Sequence, residues 1–288
     1  MTTSTSIALN AFLHELPNQE RSSLLTLLSA PFREEVERAG RNYPKIAEGE
    51  APSIEIPEWV HPSWIAPLLR SFSETEIALF LACFSLEKRE SVSKLLGFTG
   101  ALTELSALGK TFLTAKLTEL LKKGSENLLP FPFLPVSSLK ELLSLDSSEL
   151  VLVVDLLGVR DLATELKQII DKQKLIKIYA ALSKKQNSYL KVLVQKKEPI
   201  TFAPMNLSLW TGDADKLKSL IRQRGINRLA KAIYGEHPSL IWYILHRFDT
   251  ENARLIEKLS TSIDNPYIAQ ALSLQTLELI QYIREPHE

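Results

Sequence analysis

The sequence has few of the residues that several common classes of protein require. It contains one cysteine in 288 residues, so no disulfide can form within the chain, which suits a reducing compartment. Its ten glycines are few for a protein with many strand turns. Neither sign of charge is in excess, because 34 lysines and arginines balance 34 aspartates and glutamates. This balance excludes a uniform polycation of the kind that coats nucleic acid.

Long apolar runs are also missing from the sequence. The most apolar stretches, residues 77–85 and 150–154, are about half as long as the roughly 20 residues that a membrane-spanning helix needs. Residues 1–10 are polar and carry no basic side chain, so they do not resemble a secretory signal. We therefore predict a cytoplasmic protein without a membrane span.

Patterns that would indicate catalysis or metal binding are absent as well. The sequence lacks a glycine-rich phosphate loop, a Gly-x-Ser-x-Gly nucleophile elbow and a His-Glu-x-x-His zinc motif. Its five histidines are scattered, and none is spaced with Cys83 as metal ligands would be. We therefore expect no catalytic residues, no metal site and no cofactor, and we predict that the protein is not an enzyme.

The sequence does contain a repeated helical pattern. Apolar residues recur at intervals of three and four, for example at Ile65, Leu68, Leu69 and Phe72. Ser73 with Glu76, and Asp146 with Glu149, have the spacing of helix-capping pairs. The pattern predicts an all-α fold of short stacked helices, mostly about ten to fourteen residues long.

Proline-rich breaks divide the chain into blocks. We expect an N-terminal helical segment, a middle helical domain, a linker rich in proline and phenylalanine, and a C-terminal helical domain with an added His-Pro unit. Their predicted bounds are residues 1–45, 57–126, 127–136 and 137–288.

The linker carries the strongest local signal for backbone conformation. Three prolines within residues 130–135 should exclude a helix and impose an extended conformation. Phe131 and Phe133, on either side of Pro132, then project to the same side of the chain. We predict that these three residues form a hinge between the middle and C-terminal domains.

A short motif occurs twice. His61-Pro62-Ser63-Trp64 is matched by His237-Pro238-Ser239-Leu240, and apolar residues follow at the same intervals in both copies. Proline suits the first turn of a helix, so each copy predicts a helix start, although any amphipathic helix that opens with proline has this pattern. We expect the exposed starts to contact partner proteins through His61, Pro62, Ser63, Trp64, Glu236, His237 and Pro238.

Charge is distributed unevenly along the chain. Between Arg160 and Lys231 there are 16 basic and six acidic residues. Such a segment forms either a basic face for phosphate or an acidic partner, or ordinary solvated helix faces. We select Lys167, Lys184 and Lys185 as a candidate basic patch. Nucleic-acid binding is the less favoured interpretation, because aromatic residues are not interleaved with these lysines.

From His61 onward the sequence resembles the family of the flagellar motor switch protein FliG. That family opens a helix of its middle domain with Glu-His-Pro-Gln, and His61-Pro62 matches two of these four residues. Its Met-Phe-x-Phe linker is similar to residues 130–133, where both phenylalanines are kept. The resemblance covers about residues 57–195, and the order and spacing of the motifs carry it.

The resemblance implies an armadillo-like superhelical arrangement of two or three blocks. It also implies a non-enzymatic adaptor at the cytoplasmic base of a type III secretion or flagellar apparatus, peripheral to the inner face of the membrane. Its partners would be membrane-ring and cytoplasmic-ring proteins, and both a monomer and a homo-oligomer are compatible with the sequence. Val192 and Leu193 replace an acidic pair associated with torque in that family, so we expect an adaptor without torque generation.

Two other functions remain open at this point. The same periodicity is expected of a general helical-repeat scaffold that binds proteins outside any secretion system. The basic segment over residues 160–231 would serve a binder of nucleic acid or of an acidic partner.

Overall fold

The described part of the chain consists of α-helices and short 3-10 turns, and no strand occurs in it, which confirms the all-α prediction. This computed structural model describes residues 9, 10, 13, 17–41, 55–125, 127–196, 198–200, 202–261 and 266–285. Parts of the predicted N-terminal segment over residues 1–45 therefore lie outside the described residues.

The described helices before the proline-rich linker are α1 (Asn18–Leu27), α2 (Ala30–Arg41), α3 (Ile56–Trp59), α4 (Pro62–Leu69), α5 (Glu74–Leu81), α6 (Leu86–Leu96) and α7 (Ala107–Lys122). Those after it are α8 (Ser147–Leu166), α9 (Lys172–Ala181), α10 (Lys184–Val194), α11 (Ala214–Ala232), α12 (Pro238–Leu245), α13 (Thr250–Leu259) and α14 (Pro266–Arg284). Turns of 3-10 helix span Phe131–Phe133, Ser138–Ser144 and Leu207–Leu209.

The predicted capping pairs begin helices as expected. Asp146 accepts a hydrogen bond of 2.8 Å from the backbone N–H of Glu149, and the Glu149 carboxylate accepts one of 2.8 Å from the N–H of Asp146. Ser73 and Glu76 form the same reciprocal pair at the start of α5. Each box satisfies backbone donors that a helix start otherwise leaves unpaired.

The predicted length of about ten to fourteen residues was too short for four of the described helices. Helices α7, α8, α11 and α14 contain 16, 20, 19 and 19 residues. Charged residues inside α8 and α11, such as Asp161 and Arg228, are buried in ion pairs. Buried apolar residues continue after these pairs, with Leu166 near the end of α8 and Leu229 after Arg228 in α11, so each helix keeps one contact surface along its length.

The proline-rich linker is not fully extended, which corrects the prediction for its centre. Phe131, Pro132 and Phe133 form one turn of 3-10 helix, closed by a 2.9 Å bond from the N–H of Phe133 to the Pro130 carbonyl. Proline fits the start of such a turn, because its fixed φ is helical and its missing N–H is not needed there. Pro130 and Leu134 on either side have extended ψ values of 148° and 137°.

Contacts between Cα atoms divide the chain into two units. Unit 1 contains Met1–Ser137 and His237–His246, and unit 2 contains Ser138–Glu236 and Arg247–Glu288. The sequence-based division placed residues 137–288 in one domain, whereas the structure groups α12 with the earlier helices. The physical reason is aromatic packing, since Tyr243 of α12 contacts the rings of Trp59 and Phe131.

Unit 1 has a core built on α4. This helix packs against α6 and α7, and α5 also packs against both of them. Side chains from each helix are fully buried in the core, among them Ile65, Leu69, Leu81, Val92 and Leu117. Burial of such aliphatic side chains stabilises the fold by about 1.5–3 kcal/mol each.

Unit 2 depends on a very close contact between α8 and α11. A Cβ atom placed on Gly158 would lie 1.9 Å from the carbonyl oxygen of Ile221, and one on Gly225 would lie 1.7 Å from that of Val154. No real side chain fits at these distances, so only glycine allows the two backbones to meet. Helix α14 packs against both helices and completes the core.

We predict that Gly158→Ala and Gly225→Ala will each destabilise unit 2 by at least about 3 kcal/mol, because backbone atoms cannot yield as a flexible side chain does. Urea denaturation followed by circular dichroism will measure the loss. Gly109→Ala in α7 is the matched control, since its nearest neighbour outside the helix backbone is the Ser106 hydroxyl at 3.3 Å. Equal stability of all three variants would contradict the prediction.

Candidate protein-binding site

The repeated His-Pro motif begins a helix in both of its copies, as predicted. His61 precedes α4 and its Nδ1 accepts a hydrogen bond of 3.2 Å from the N–H of Ser63. His237 precedes α12 and its Nδ1 accepts one of 3.1 Å from the N–H of Ser239. The imidazole thus acts as the helix cap, a task usually performed by Ser, Thr, Asp or Asn.

The two His-Pro helices meet each other within unit 1. The N–H of His61 donates a 2.7 Å hydrogen bond to the carbonyl oxygen of His246, at the end of α12. The His246 ring stacks on Trp64 and on Trp242, with ring centroids 4.0 Å and 3.8 Å apart. Interplanar angles of 25° and 23° show that both contacts are face to face. Part of the predicted partner-binding motif therefore contacts the other copy.

Helix α12 also holds the start of the proline-rich linker. The N–H of Leu129 donates to the Ser239 hydroxyl at 3.1 Å, and the Tyr243 hydroxyl donates to the Leu129 carbonyl at 3.3 Å. Phe131 packs edge-on against Tyr243 with ring centroids 5.7 Å apart. Burial raises the pKa of Tyr243 to about 12, so its hydroxyl stays protonated and able to donate.

Exposure differs along the predicted partner-binding residues. Pro238 is exposed, whereas six residues are partly buried, namely His61, Pro62, Ser63, Trp64, Glu236 and His237. The predicted hinge residues Phe131, Pro132 and Phe133 are also partly buried. The contacts described above account for much of this burial, and a role for these residues in partner binding or as a hinge stays a prediction.

Burial keeps His246 neutral. Burial lowers its pKa to about 4, and a hydrogen bond with the Trp242 carbonyl opposes this change only partly. That bond joins Nδ1 to the oxygen at 2.8 Å, which assigns the proton of the neutral ring to Nδ1. His246 therefore contributes an aromatic face at neutral pH and no charge.

The candidate basic patch lies at the ends of helices in unit 2. Lys184 and Lys185 are exposed in the first turn of α10. Lys167 follows the end of α8, and its Nζ donates a 2.6 Å hydrogen bond to the Lys196 carbonyl. The lysines in the patch thus lie at the starts and ends of different helices.

Four of the segment's 16 basic residues are arginines, and carboxylates pair with Arg160, Arg222 and Arg228. Arg222 binds Asp155 through Nε and Nη2 at 2.9 Å and 3.0 Å. Arg160 and Arg228 are buried in ion pairs with carboxylates of unit 2. Part of the segment's basic charge is therefore neutralised by ion pairs within unit 2, which differs from the solvated helix faces expected if the segment binds no ligand.

Helix α7 presents an apolar surface that the sequence analysis missed. Leu108 and Phe112 are 80% and 67% exposed and lie four residues apart, so they are neighbours on one face. Leu117 and Leu121 are buried, and each is nine residues beyond its exposed counterpart, which places it on the opposite side of the helix. We call Leu108 and Phe112 the α7 stripe. Helical spacing of apolar residues predicts burial, so only the structure could show that one side is open.

A metal site, a reactive thiol and a membrane span find no support in the described residues. They contain no group of three or more histidine, cysteine, aspartate or glutamate side chains that could hold a metal ion. Cys83 is buried, and burial raises the pKa of its thiol, which makes it unreactive. None of the helices in this part of the chain combines the length and apolar character needed to cross a bilayer.

Comparisons with models of known protein families, with curated proteins and with solved structures found no match for this chain.

We predict that unit 1 loses stability as the pH falls from about 6.5 to about 4. In this range the unfolded chain protonates His246 while the folded chain does not, so the stability present at and above pH 6.5 is progressively lost. The loss should be on the order of 2–3 kcal/mol. Urea titrations monitored by tryptophan fluorescence will measure it, because Trp59, Trp64 and Trp242 belong to unit 1.

His246→Phe keeps an aromatic ring and cannot titrate, so its stability should depend less steeply on pH than that of the parent chain. His61→Asn is the matched control, since asparagine retains a capping acceptor while His246 remains. Parallel pH profiles for the parent chain and His246→Phe would refute the assignment.

Proposed function

We propose that this chain is a non-enzymatic adaptor that binds another protein subunit through the α7 stripe. The observation that carries the proposal is the exposure of Leu108 and Phe112 side by side on a helix whose opposite face is buried. Contiguous exposed apolar side chains on a folded domain commonly mark a site of protein interaction. The helix-forming residues around them hold both side chains on one rigid element.

The energetics of such a contact favour a protein partner. Removing a leucine or phenylalanine side chain from water contributes about 1.5–3 kcal/mol when burial is complete. A few well-packed side chains near the centre of an interface commonly supply most of its binding energy. A partner helix or groove that covers Leu108 and Phe112 would therefore gain several kcal/mol from two residues.

We further propose that the stripe receives a helical layer in an armadillo-like stack. In stacked helical arrays each helix needs one apolar face for its own unit and another for the next layer. Helix α7 has these two faces, with Leu117 and Leu121 inside and the α7 stripe outside. The second layer would be supplied by a partner subunit or by another copy of the chain.

The resemblance to the FliG family indicates which assembly this adaptor would belong to. Under this proposal the chain links a membrane ring to a cytoplasmic ring at the base of a type III secretion or flagellar apparatus, without generating torque. Two features support the absence of torque generation: Val192 carries no charge, and Leu193 is buried. The alternative is a general helical scaffold, which would use the same stripe on unrelated partners.

A photo-crosslinking residue at position 112 will identify the partner in native cells. We expect products with subunits of a secretion or flagellar base, identified by mass spectrometry. Products with other proteins alone would favour the general scaffold over the secretion adaptor. Absence of any product, from a chain shown to be folded by circular dichroism, would contradict the α7 stripe as a binding site.

Substitution of the stripe should weaken binding without unfolding the chain. Leu108→Ser with Phe112→Ser should reduce affinity for the crosslinked partner at least about tenfold, since both side chains are already in water in the free chain. Leu209→Ser is the matched control, because Leu209 is also 80% exposed and lies in unit 2. Equal affinities of the control and the double variant, measured by calorimetry, would contradict the proposal.

A further inference from the structure

A cleft in unit 2 contains two buried hydrogen-bond donors whose pairing is incomplete. It has a volume of about 540 Å³, and its lining includes Arg160 of α8, Tyr189 of α10 and Glu278 of α14. Arg160 and Tyr189 are 7% and 5% exposed. Neither Arg160 Nε nor the Tyr189 hydroxyl makes a well-formed hydrogen bond within the described residues, and the contact between the two side chains has only a minor effect on the pKa of Tyr189. Because incompletely paired buried donors are costly, the two groups in one cleft indicate an acceptor that binds there.

The guanidinium of Arg160 is only partly satisfied. Its Nη1 pairs with Glu198 at 3.3 Å, and its Nη2 pairs with Glu278 at 3.0 Å. The Nε and Nη2 groups of an arginine form one edge that can bind both oxygens of a carboxylate. In Arg160, one oxygen of Glu278 accepts from Nη2, and Nε has no carboxylate acceptor.

Another arginine of unit 2 has both donors of this edge paired with one carboxylate. Arg222 binds both oxygens of Asp155, through Nε at 2.9 Å and Nη2 at 3.0 Å. Asp155 accepts at both positions, whereas Glu278 accepts at one. A carboxylate that took the place of Glu278 would complete the edge of Arg160 in the way that Asp155 completes that of Arg222.

Glu278 is an occupant that can leave. Its side chain is 67% exposed, so its carboxylate is already largely hydrated where it meets Arg160. An ion pair with so exposed a partner contributes little to stability, and the glutamate can turn to solvent at small cost. Glu198 is 9% exposed and also pairs with Arg228, so it remains in place.

The Tyr189 hydroxyl adds a third donor. It lies near the Arg160 guanidinium, whose carbon is 5.8 Å from the tyrosine ring centroid. Burial raises the pKa of Tyr189 to about 12, although the charge of Arg160 and, to a smaller extent, a side-chain contact with it oppose this. The hydroxyl is therefore protonated at neutral pH, carries no competing negative charge and is able to donate to a ligand.

The remaining walls of the cleft combine polar side chains, among them Lys167 and Lys196, with an apolar part. The apolar part includes Val192, Leu193 and Leu274, together with the ring of Tyr282, whose centroid lies 5.0 Å from that of Tyr189. Sites for small molecules typically occupy about 300–1,000 Å³ and combine apolar walls with a few convergent polar groups. The cleft has both features.

We infer that this cleft binds a carboxylate attached to an apolar body, with the carboxylate displacing Glu278 from Arg160 and accepting from Nε, Nη2 and the Tyr189 hydroxyl. Two sources share this chemistry, a free small organic acid and the C-terminal carboxylate of a polypeptide. The inference does not depend on the α7 stripe, which lies in unit 1.

Calorimetric titration of the full chain with phenylbutyrate, beside its neutral amide, will test the inference. We expect the acid to bind and the amide to bind at least about tenfold more weakly, since only the acid offers two oxygens to the arginine edge. A short peptide that ends in phenylalanine, with a free or an amidated C-terminus, distinguishes a polypeptide source from a small acid. No binding of any free acid at about 10 mM, well above the Kd of even a millimolar site, would overturn the inference.

Two variants should change affinity in opposite directions. Tyr189→Phe removes one donor and should weaken binding about fivefold. Glu278→Ala removes the competing carboxylate and should tighten binding at least about threefold, an effect that a merely structural role would not produce. Glu257→Ala, which removes an exposed glutamate outside the cleft, should match the parent chain. Unchanged or weaker binding by Glu278→Ala would overturn the inference.

Discussion

The backbone contact between α8 and α11 is the constraint on which the second unit depends. Two glycines let each helix approach a carbonyl oxygen of the other, and this close approach places the flanking ion pairs within reach. Asp155 pairs with Arg222 and Asp161 with Arg228, in the same order along both helices. A shift of one helix along the other would break both ion pairs and would also bring side chains into contact with backbone atoms. The register of the two helices is therefore fixed both by the ion pairs and by the close backbone contact.

The buried pair formed by Arg228 extends this constraint to other elements. Arg228 is fully buried and donates to Asp161, to Gln275 of α14 and to the Ile200 carbonyl. A buried charge adds little stability beyond an apolar core, but it penalises any arrangement that leaves the charge unpaired. Asp161 and its neighbour Arg160 belong to one turn of α8, so the network fixes where Arg160 enters the cleft. The incomplete pairing of Arg160 therefore contrasts with a surrounding network that leaves little room for adjustment.

Local chemistry explains which parts of this fold could be predicted from the sequence. Capping boxes at Ser73 and Asp146 and both His-Pro helix starts depend on residues that are close in sequence, and the structure confirms them. The turn at residues 131–133 was mispredicted because proline permits both extended and 3-10 conformations, and packing selects between them. Three features depend on residues that are far apart in the chain: the close approach of α8 and α11 at Gly158 and Gly225, the Arg160 cleft, and the exposed side of α7. Periodicity carries no information about such contacts.

The packing of the two His-Pro helices indicates which surface of unit 1 is available to a partner protein. The amide of His61 and the ring of Trp64 both contact His246, and Tyr243 holds Leu129 and Phe131. These residues have a structural role in completing unit 1. Their contacts within the unit explain why aromatic residues occur there, and no partner protein is needed for that explanation. The α7 stripe has no such role, because its two side chains remain in water while the opposite face of the same helix packs in the core. An exposed pair of apolar residues that the fold itself does not use is therefore the stronger evidence for binding, and the adaptor proposal rests on α7 and not on the repeated motif.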